Sequence, residues 1–429
     1  MASGFLRNTV VLMTGSGLAQ VFTLGITLLL ARVYTDVDFG VMAIFAATQL
    51  ILAELSNARY DNAIMLPKEN NRAASLLGLC WLIGFGVSVF VFVGVFAAEQ
   101  LLSGWVAESK IWALLHWLPI SCLLGAILQP LTVYLNRNNQ YRTIAVAKVV
   151  QAFSTGLTSL YLGYAGLGAI GLLVGFVVGQ LLALIFSVTA LSFSNFGQFF
   201  QRTEMRLVAV EYKHFPLYSS ASTLLNTFSR QVPVYLLQYF FNSAIVGQFS
   251  MANRLLGTPV LLVAQSFGQV FYQRAAREHE LEHHSSFLAL VVKTTRNLFA
   301  LGILPVLLLG IAGPQLFAWT LGPKWLEAGV FAQYLAPWFL LLFTVNPLTY
   351  VLNIKARLGF ELWYNVSIFI ARTAVLGWFG YAGEPVLAVA GFALVGVLFN
   401  VFMLGYIWYI SGADKLGWQK AWEAVWHKS

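Results

Sequence analysis

Residues 73–97 read AASLLGLCWLIGFGVSVFVFVGVFA, a run of 25 residues without a charged side chain. A helix needs about 20 apolar residues to cross a bilayer, so this run alone predicts a membrane-spanning helix. The whole chain has the same character, because 59% of its 429 residues are hydrophobic, only 10% are charged and the mean hydropathy is +0.75. Soluble domains carry about 25% charged residues. The composition therefore excludes a soluble enzyme and, equally, a disordered chain.

Twelve apolar segments follow one another along the chain, separated by short breaks that are polar or contain Gly and Pro. They are apolar all round and much longer than the strands of about 10 residues that build membrane β-barrels. The sequence therefore predicts an all-α polytopic membrane protein with about 12 transmembrane helices. The predicted helices are 8–31, 40–57, 73–97, 111–135, 144–162, 168–192, 215–240, 245–270, 287–312, 328–352, 361–381 and 386–410.

Two similar short stretches open the second and the eighth predicted helices. They are Phe39–Ala43 (FGVMA) and Val246–Ser250 (VGQFS), offset by 207 residues, which is close to half the chain. This offset predicts two six-helix bundles related by a pseudo-twofold axis along the membrane normal. The predicted domains are an N-terminal bundle (1–200), a C-terminal bundle (201–411) and a cytoplasmic amphipathic tail (412–429) with Trp418, Trp422 and Trp426 on one face.

The positive charges divide unevenly between the two sides of the predicted membrane topology. Of the 25 Lys and Arg residues, 19 fall on the side of the amino terminus, whereas only Arg32, Lys110 and Lys324 fall on the other. Because cytoplasmic loops carry an excess of cations, both termini are predicted to be cytoplasmic. The net charge of +8 is thereby explained by topology, and no nucleic-acid partner is predicted.

Three motifs resemble catalytic or cofactor sites, but their context favours simpler roles. The HExxH pattern at His279–His283 lies in a charged loop and has no evident third metal ligand. Asp36–Asp38 has a DxD spacing but fits a turn and helix cap. Gly166–Gly171 matches GxGxxG, yet Gly171, Gly175 and Gly179 continue at the spacing of closely packed membrane helices. We therefore predict no catalytic residue, no metal and no cofactor.

Three arginines lie near the middle of predicted helices: Arg230 in the seventh, Arg254 in the eighth and Arg372 in the eleventh. Each costs roughly 2.5–3.5 kcal/mol at a helix centre on insertion scales. Glu54 is the one carboxylate predicted within a span, and it could neutralise one arginine but not three. Two interpretations follow: the arginines line a wet cavity that receives an anionic substrate, or they are satisfied by packing and by backbone carbonyls.

Polar neighbours favour the cavity. Guanidinium groups suit phosphate oxygens because they bind them in a bidentate manner. The predicted substrate-binding set, a cationic lumen, therefore combines each arginine with the asparagine that lies beside it or on its helix face: Arg230 with Asn226, Arg254 with Asn253, and Arg372 with Asn365.

Several stretches resemble one family, the Wzx-type O-antigen and exopolysaccharide flippases of the MATE-like MOP superfamily. They are Ala31–Tyr34, Asp38–Gly40 and Arg59–Pro67 in the first half, and Gln231–Pro233, Val246–Phe249 and Asn253–Pro259 in the second. The resemblance implies a V-shaped pair of bundles around a cationic lumen, with Arg254 matching the arginine of the eighth-helix motif. It implies Arg32 and Arg59 at the two mouths of the lumen. An acidic residue is usual near position 61 in that family, where this chain has Asp61.

The resemblance also implies a function. The chain would move an undecaprenyl-pyrophosphate-linked oligosaccharide across the inner membrane for surface polysaccharide biosynthesis, with membrane lipids and other polysaccharide assembly proteins as partners. Glu54 and Asp61 are the candidates for ion coupling. Two alternatives stay open: a MATE-like exporter or lipid II-type flippase of the same fold, and a membrane enzyme of glycan assembly such as a polymerase or ligase. Short outer loops disfavour the enzyme, and central arginines disfavour a cationic-drug exporter.

Overall fold

A computed structural model describes residues 2–102, 109–191, 199–216, 220–280, 284–355 and 357–413. Within these ranges the chain is helical and contains no strand. Of the sixteen α-helices in the described ranges, four are short, and the other twelve have 20 residues or more and each overlap one of the twelve predicted segments. The helices are α1 (Ala2–Val33), α2 (Asp36–Ser56), α3 (Tyr60–Ala63), α4 (Asn70–Leu102), α5 (Ser109–Leu115), α6 (Leu118–Arg137), α7 (Tyr141–Tyr164), α8 (Ala169–Val188), α9 (Arg202–Glu211), α10 (Ser220–Phe240), α11 (Ser243–Glu280), α12 (His284–Leu321), α13 (Leu326–Val345), α14 (Tyr350–Ile354), α15 (Leu358–Tyr381) and α16 (Pro385–Trp408).

The helices confirm a polytopic membrane protein. Nine stretches in the described ranges are long and apolar enough to cross a membrane, and they involve α1, α2, α4, α6, α8, α11, α12, α13 and α16. Large apolar side chains are exposed on them, such as Phe90 at 77% and Ile311 at 80%. A protein in water rarely exposes contiguous apolar surface on this scale, whereas a bilayer accepts it. The three remaining long helices, α7, α10 and α15, carry Lys148, Arg230 and Arg372 in their sequences.

The chain divides into two compact units, Met1–Tyr235 and Leu236–Ser429. In the first, the largest apolar cluster joins residues of α3, α4 and α6, including Ile64, Leu77 and Leu131. In the second, a cluster joins α11, α12, α14 and α16 through residues such as Phe287 and Val351. The predicted boundary at 200/201 and the pseudo-twofold relation remain predictions.

One carboxylate organises the start of α2. Thr35 caps this helix and forms a reciprocal capping box with Asp38, whose carboxylate accepts from the Thr35 backbone N–H at 3.0 Å. The other carboxylate oxygen of Asp38 accepts from the backbone N–H of Ala169 at 3.0 Å, at the first turn of α8. The DxD-like motif is therefore a helix cap, as predicted. Burial and then the charge of Asp38 raise the pKa of Tyr34 to about 12, which keeps this phenol a donor to the carbonyl of Ser159.

The glycine ladder of α8 packs against α7. A Cβ on Gly175 would fall on the side chain of Ser159, and one on Gly179 would fall on that of Thr155. The absence of side chains on these glycines lets the two backbones approach closely, which is the packing expected for small residues in membrane helices. Of the GxGxxG match, Gly171 belongs to this packing surface, whereas Gly166 and Gly168 lie before α8 with positive φ values of 78° and 55°.

Proline explains where the predicted tenth helix, 328–352, is interrupted. The structure ends α13 at Val345, turns through a 3₁₀ segment at Asn346–Thr349 and resumes as α14. Pro347 sits in that segment, and a proline cannot donate the hydrogen bond that a continuing helix requires. The eighth predicted helix, 245–270, ends too early, because α11 continues to Glu280. The ninth, 287–312, ends where α12 is kinked at Ala312, whose φ of −126° and ψ of 18° are not helical.

The segment between the sixth and seventh predicted helices, 193–214, is partly helical where it is described. It contains α9, whose Val208 is fully buried in the apolar cluster of the first unit together with Phe199. Arg72 of α4 binds Glu211 of α9 at 2.5 Å. The predicted tail is described only to residue 413, so its tryptophan face lies outside the described residues.

Candidate functional site

The corner between α2 and α3 holds the first predicted candidates. Ala58 and Arg59 both have a positive φ, 44° and 60°, which is uncommon for residues with a side chain. The bend brings Arg59 Nη1 to 3.1 Å from Glu54 Oε2, while the other Glu54 oxygen accepts from Thr227 of α10 at 3.3 Å. Glu54, which the sequence offered as the one partner for a central arginine, therefore serves Arg59 at this corner.

Asp61 follows at the same corner and is buried, with 3% of its surface exposed. One carboxylate oxygen accepts from Gln129 Nε2 of α6 at 2.8 Å, and the other is buried without a hydrogen-bond partner among the described residues. Its neighbours Tyr60 and Ile64 belong to the apolar cluster of the first unit. A buried acceptor without a hydrogen bond costs free energy, so this oxygen is the less well satisfied of the two carboxylate oxygens.

Arg230 and Asn226 lie four residues apart on α10, and both are exposed. The same helix is fastened to α2 by other residues, because Tyr235 and Thr48 share a hydrogen bond at 3.0 Å and Thr227 donates to Glu54. Arg230 makes no hydrogen bond or ion pair with any described residue. Its guanidinium is therefore exposed on a helix that also carries polar residues such as Asn226 and Ser229.

Arg254 and Asn253 are also exposed, on α11 in the second unit. The two residues before them, Met251 and Ala252, are buried at 1% and 0% exposure, so the exposed surface of this turn begins at Asn253. As with Arg230, no described residue forms a hydrogen bond or an ion pair with Arg254.

Arg372 differs from the other two central arginines. It is half-buried on α15, and its guanidinium carbon lies 4.3 Å from the ring centre of Trp338 and 4.2 Å from that of Phe392. Nε and Nη2 are buried without a hydrogen-bond partner among the described residues. Asn365, which lies seven residues before Arg372 on the same helix, is exposed. Ring packing therefore contributes to the environment of Arg372.

Two predicted features remain, Arg32 and the HExxH match. Arg32 is exposed in the last turn of α1, where a cation is favourable for the helix dipole. Of the HExxH match, His279 and Glu280 belong to the end of α11, and residues 281–283 lie outside the described part. His279 Nδ1 is 3.4 Å from Lys355 Nζ, a pairing that a metal ligand at this nitrogen would not make. Across the described residues, no cluster of three potential metal ligands occurs.

Sequence reasoning missed the aromatic partners of Arg372. Trp338 and Phe392 lie in helices rich in aromatic residues, and no spacing links them to position 372. It also missed Gln129 as the partner of Asp61. A polar side chain in the predicted fourth helix was the available signal, but one glutamine does not reveal which carboxylate it binds.

The described helices define a class, the polytopic all-helical membrane proteins. Solved structures share that fold: the lipid II flippase MurJ in an inward closed conformation (TM-score 0.69, 11% identity, 97% of this chain and 90% of that one) and an inward-facing multidrug resistance MATE family transporter of the MOP superfamily (0.66, 11%, 95% and 96%). A third is the Vibrio cholerae MATE transporter VcmN (0.59, 14%, 98% and 98%).

The sequence itself gives the family. Residues 29–329 match the family described as polysaccharide biosynthesis protein, which is more than half of the chain. The chain belongs to this polysaccharide biosynthesis family. Among curated proteins, none matches.

Proposed function

We propose that the protein is a flippase that moves an undecaprenyl-pyrophosphate-linked oligosaccharide across the inner membrane for surface polysaccharide biosynthesis. The observation that carries the proposal is the pair of exposed arginines, Arg230 and Arg254, which have no carboxylate partner among the described residues. A charge at membrane depth is costly, and such residues mark a substrate pathway when protein groups do not neutralise them. Family membership supports a role in making polysaccharide.

The chemistry of these residues indicates the cargo. An arginine fork matches the oxygens of a phosphate and holds them by charge-assisted hydrogen bonds. Asn226 and Asn253 lie next to the two arginines and can donate to, or accept from, sugar hydroxyls. The exposed apolar side chains of the same helices, such as Leu225 and Leu261, allow a polyprenyl tail to remain in lipid. In this proposal Arg372 and Asn365 complete the cationic set, and Arg32 and Arg59 lie at its entrances.

For energy coupling, we propose Asp61 ahead of Glu54. Glu54 is already paired with Arg59 and Thr227, whereas one buried oxygen of Asp61 has no hydrogen-bond partner within the described ranges. The membrane potential can also act directly on a charged cargo, at about 2.3 kcal/mol per charge per 100 mV. The uneven distribution of cations supports placing both termini in the cytoplasm.

One other function has an observation in its favour. The fold likeness to a lipid II flippase suits a carrier of the peptidoglycan precursor, which is another lipid-linked saccharide. Membership of a polysaccharide biosynthesis family favours the oligosaccharide cargo. A drug exporter is disfavoured because exposed arginines repel cationic compounds.

Complementation tests the proposal. A strain without its own copy of the gene receives the wild type, Arg230→Ala, Arg254→Ala or the control Arg274→Ala, which removes an exposed arginine further along α11. We expect the wild type and the control to restore surface polysaccharide and the two test variants to reduce it about tenfold at equal protein level, a loss of about 1.4 kcal/mol. Full display from both test variants would overturn the proposal.

Reconstitution separates the alternatives. Purified protein in liposomes should move a labelled lipid-linked oligosaccharide between leaflets without lengthening the glycan. Transfer of lipid II but not of the oligosaccharide would establish the second candidate, and glycan lengthening would establish an enzyme.

A further inference from the structure

Arg372 occupies a corner made by two perpendicular rings. The centroids of Trp338 on α13 and Phe392 on α16 are 5.3 Å apart at an interplanar angle of 84°, and the guanidinium lies about equally far from both. Both rings are buried, at 8% and 5% exposure. The ring of Phe249 on α11 packs edge to face with that of Phe392, with their centroids 6.0 Å apart, and so helps to hold Phe392 in place. The corner is therefore built from fixed groups of the second unit.

Gly396 supplies a third wall, one turn after Phe392 on α16. A Cβ at this position would fall on Arg372 Nη2 and would lie 2.5 Å from Cδ1 of Trp338. The guanidinium can therefore occupy the corner only because residue 396 has no side chain. The carbonyl of Gly396 accepts from Asn400 Nδ2 at 2.7 Å, and no hydrogen bond from Arg372 Nε or Nη2 to a described residue is present.

The two rings stabilise Arg372 differently from a carboxylate. An arginine at a helix centre is costly on insertion scales. A cation–π contact is strongest where it is desolvated, so two buried rings offset part of that cost. A carboxylate would cancel the positive charge of Arg372, whereas the rings stabilise it and leave it positive. Arg372 therefore stays positively charged between two buried aromatic side chains.

The three guanidinium nitrogens of Arg372 differ in burial and in hydrogen bonding. Nε and Nη2 are buried without a partner among the described residues, while Nη1 is neither hydrogen-bonded nor among the buried unpartnered atoms. Nη1 is therefore the nitrogen that remains accessible. A guanidinium fixed on two sides presents its N–H donors to an incoming acceptor with little loss of side-chain freedom, which favours affinity.

We propose that Trp338, Phe392 and Gly396 are positioning residues that hold the guanidinium of Arg372 in one orientation for a phosphate-bearing ligand. The inference deepens the proposed function and rests on it, since the phosphate is that of the lipid-linked cargo. Trp338, Phe392 and Gly396 thereby act through Arg372 and not on the ligand directly. In this respect Arg372, which is oriented by rings, differs from Arg230 and Arg254, which are exposed.

Binding of farnesyl pyrophosphate to the purified full-length protein in detergent tests this inference. Arg372→Met removes the charge, and Gly396→Ala keeps the charge but displaces the guanidinium. Gly405→Ala on the same helix is the matched control, because a Cβ there meets nothing within 4 Å. We expect wild-type affinity from Gly405→Ala and about a tenfold weaker Kd from both other variants. Wild-type affinity in Gly396→Ala, with Arg372→Met weakened, would overturn the positioning role. Wild-type affinity in Arg372→Met would overturn any role of this arginine in binding.

Melting temperatures without ligand check that the variants fold. If Gly396→Ala melts below the control, Phe392→Leu replaces it, since leucine keeps an apolar side chain and removes the ring; unchanged affinity there would equally overturn the proposal. Transport of lipid-linked oligosaccharide by the wild type in liposomes is scored separately. Normal transport with equal binding in all variants rejects only the positioning role, whereas absent transport by the wild type rejects the proposed function.

Discussion

Glu54 and Arg59 form an ion pair at 3.1 Å across the bend between α2 and α3. The pair is enclosed, with about a fifth of each side chain exposed, and Thr227 of α10 donates to the same carboxylate. Glu54 is therefore committed to the corner, which leaves the exposed central arginines without the one carboxylate that the sequence offered them. Their charge is what a flippase for an anionic lipid requires.

The ion pair itself predicts a coupling between two substitutions. Removing either partner leaves the other charge unpaired, so Glu54→Ala and Arg59→Ala should each lower the melting temperature. The double variant should be more stable than the sum of the two losses predicts, by about 0.5–1 kcal/mol for a pair of this exposure. Strict additivity in a thermal double-mutant cycle would show that the pair contributes nothing.

Asp38 predicts a stability effect that is separate from transport. Asp38→Ala removes a cap from α2 and the acceptor for the Ala169 N–H of α8. A lost cap costs typically about 1 kcal/mol, so we expect a clear fall in melting temperature. The control Asp36→Ala removes an acid from the same turn and leaves the bond to Ala169. Transport per folded molecule should be unchanged in both. If Asp38→Ala folds normally but fails to transport, Asp38 has a functional role instead.

Close packing of α7 and α8 predicts intolerance of side chains on the glycine ladder. Gly175→Val would place methyl groups where Ser159 lies, and overpacking of this kind costs typically 1–3 kcal/mol. We expect lower yield and a lower melting temperature. Gly86→Val is the control, since a Cβ at Gly86 meets nothing within 4 Å. Equal behaviour of the two variants in thermal unfolding would refute close packing at Gly175.

The sequence predicted the helices well because their signal is local. Every one of the twelve apolar runs contains enough residues to cross a bilayer, and the helix cap at Asp36–Asp38 and the glycine spacing of α8 are readable within one or two turns. Helix ends were less predictable. Polar residues such as those after Val270 continue α11 because a helix outside the apolar layer still satisfies its own backbone.

The site was predictable in residue type but not in environment. Depth along an apolar run identifies Arg230, Arg254 and Arg372 as costly charges, and it does so equally for all three. Burial and ring contacts then separate Arg372 from the others, and these depend on how α13, α15 and α16 meet. These contacts join Arg372 to residues 34 and 20 positions away in the sequence, which no short-range pattern encodes.

Energy coupling gives a fourth prediction. Asp61→Asn keeps an acceptor for Gln129 but removes the negative charge from a buried site. In liposomes, wild-type transport should be stimulated by an imposed proton or sodium gradient, and Asp61→Asn should lose that stimulation while retaining transport without a gradient. Glu54→Gln serves as the comparison and should keep the stimulation. Stimulation that survives in Asp61→Asn would exclude Asp61 from coupling.

Charge restoration at position 254 tests the central claim most directly. The chain has two cysteines, Cys80 and Cys122, both buried, so a background with both replaced by alanine permits labelling at one new position. Arg254→Cys in this background should transport lipid-linked oligosaccharide poorly. A thiol reagent that adds an ammonium group should recover much of the transport, and one that adds a sulfonate should recover none. Equal recovery with both reagents, or wild-type transport before any labelling, would contradict a cationic pathway for an anionic cargo.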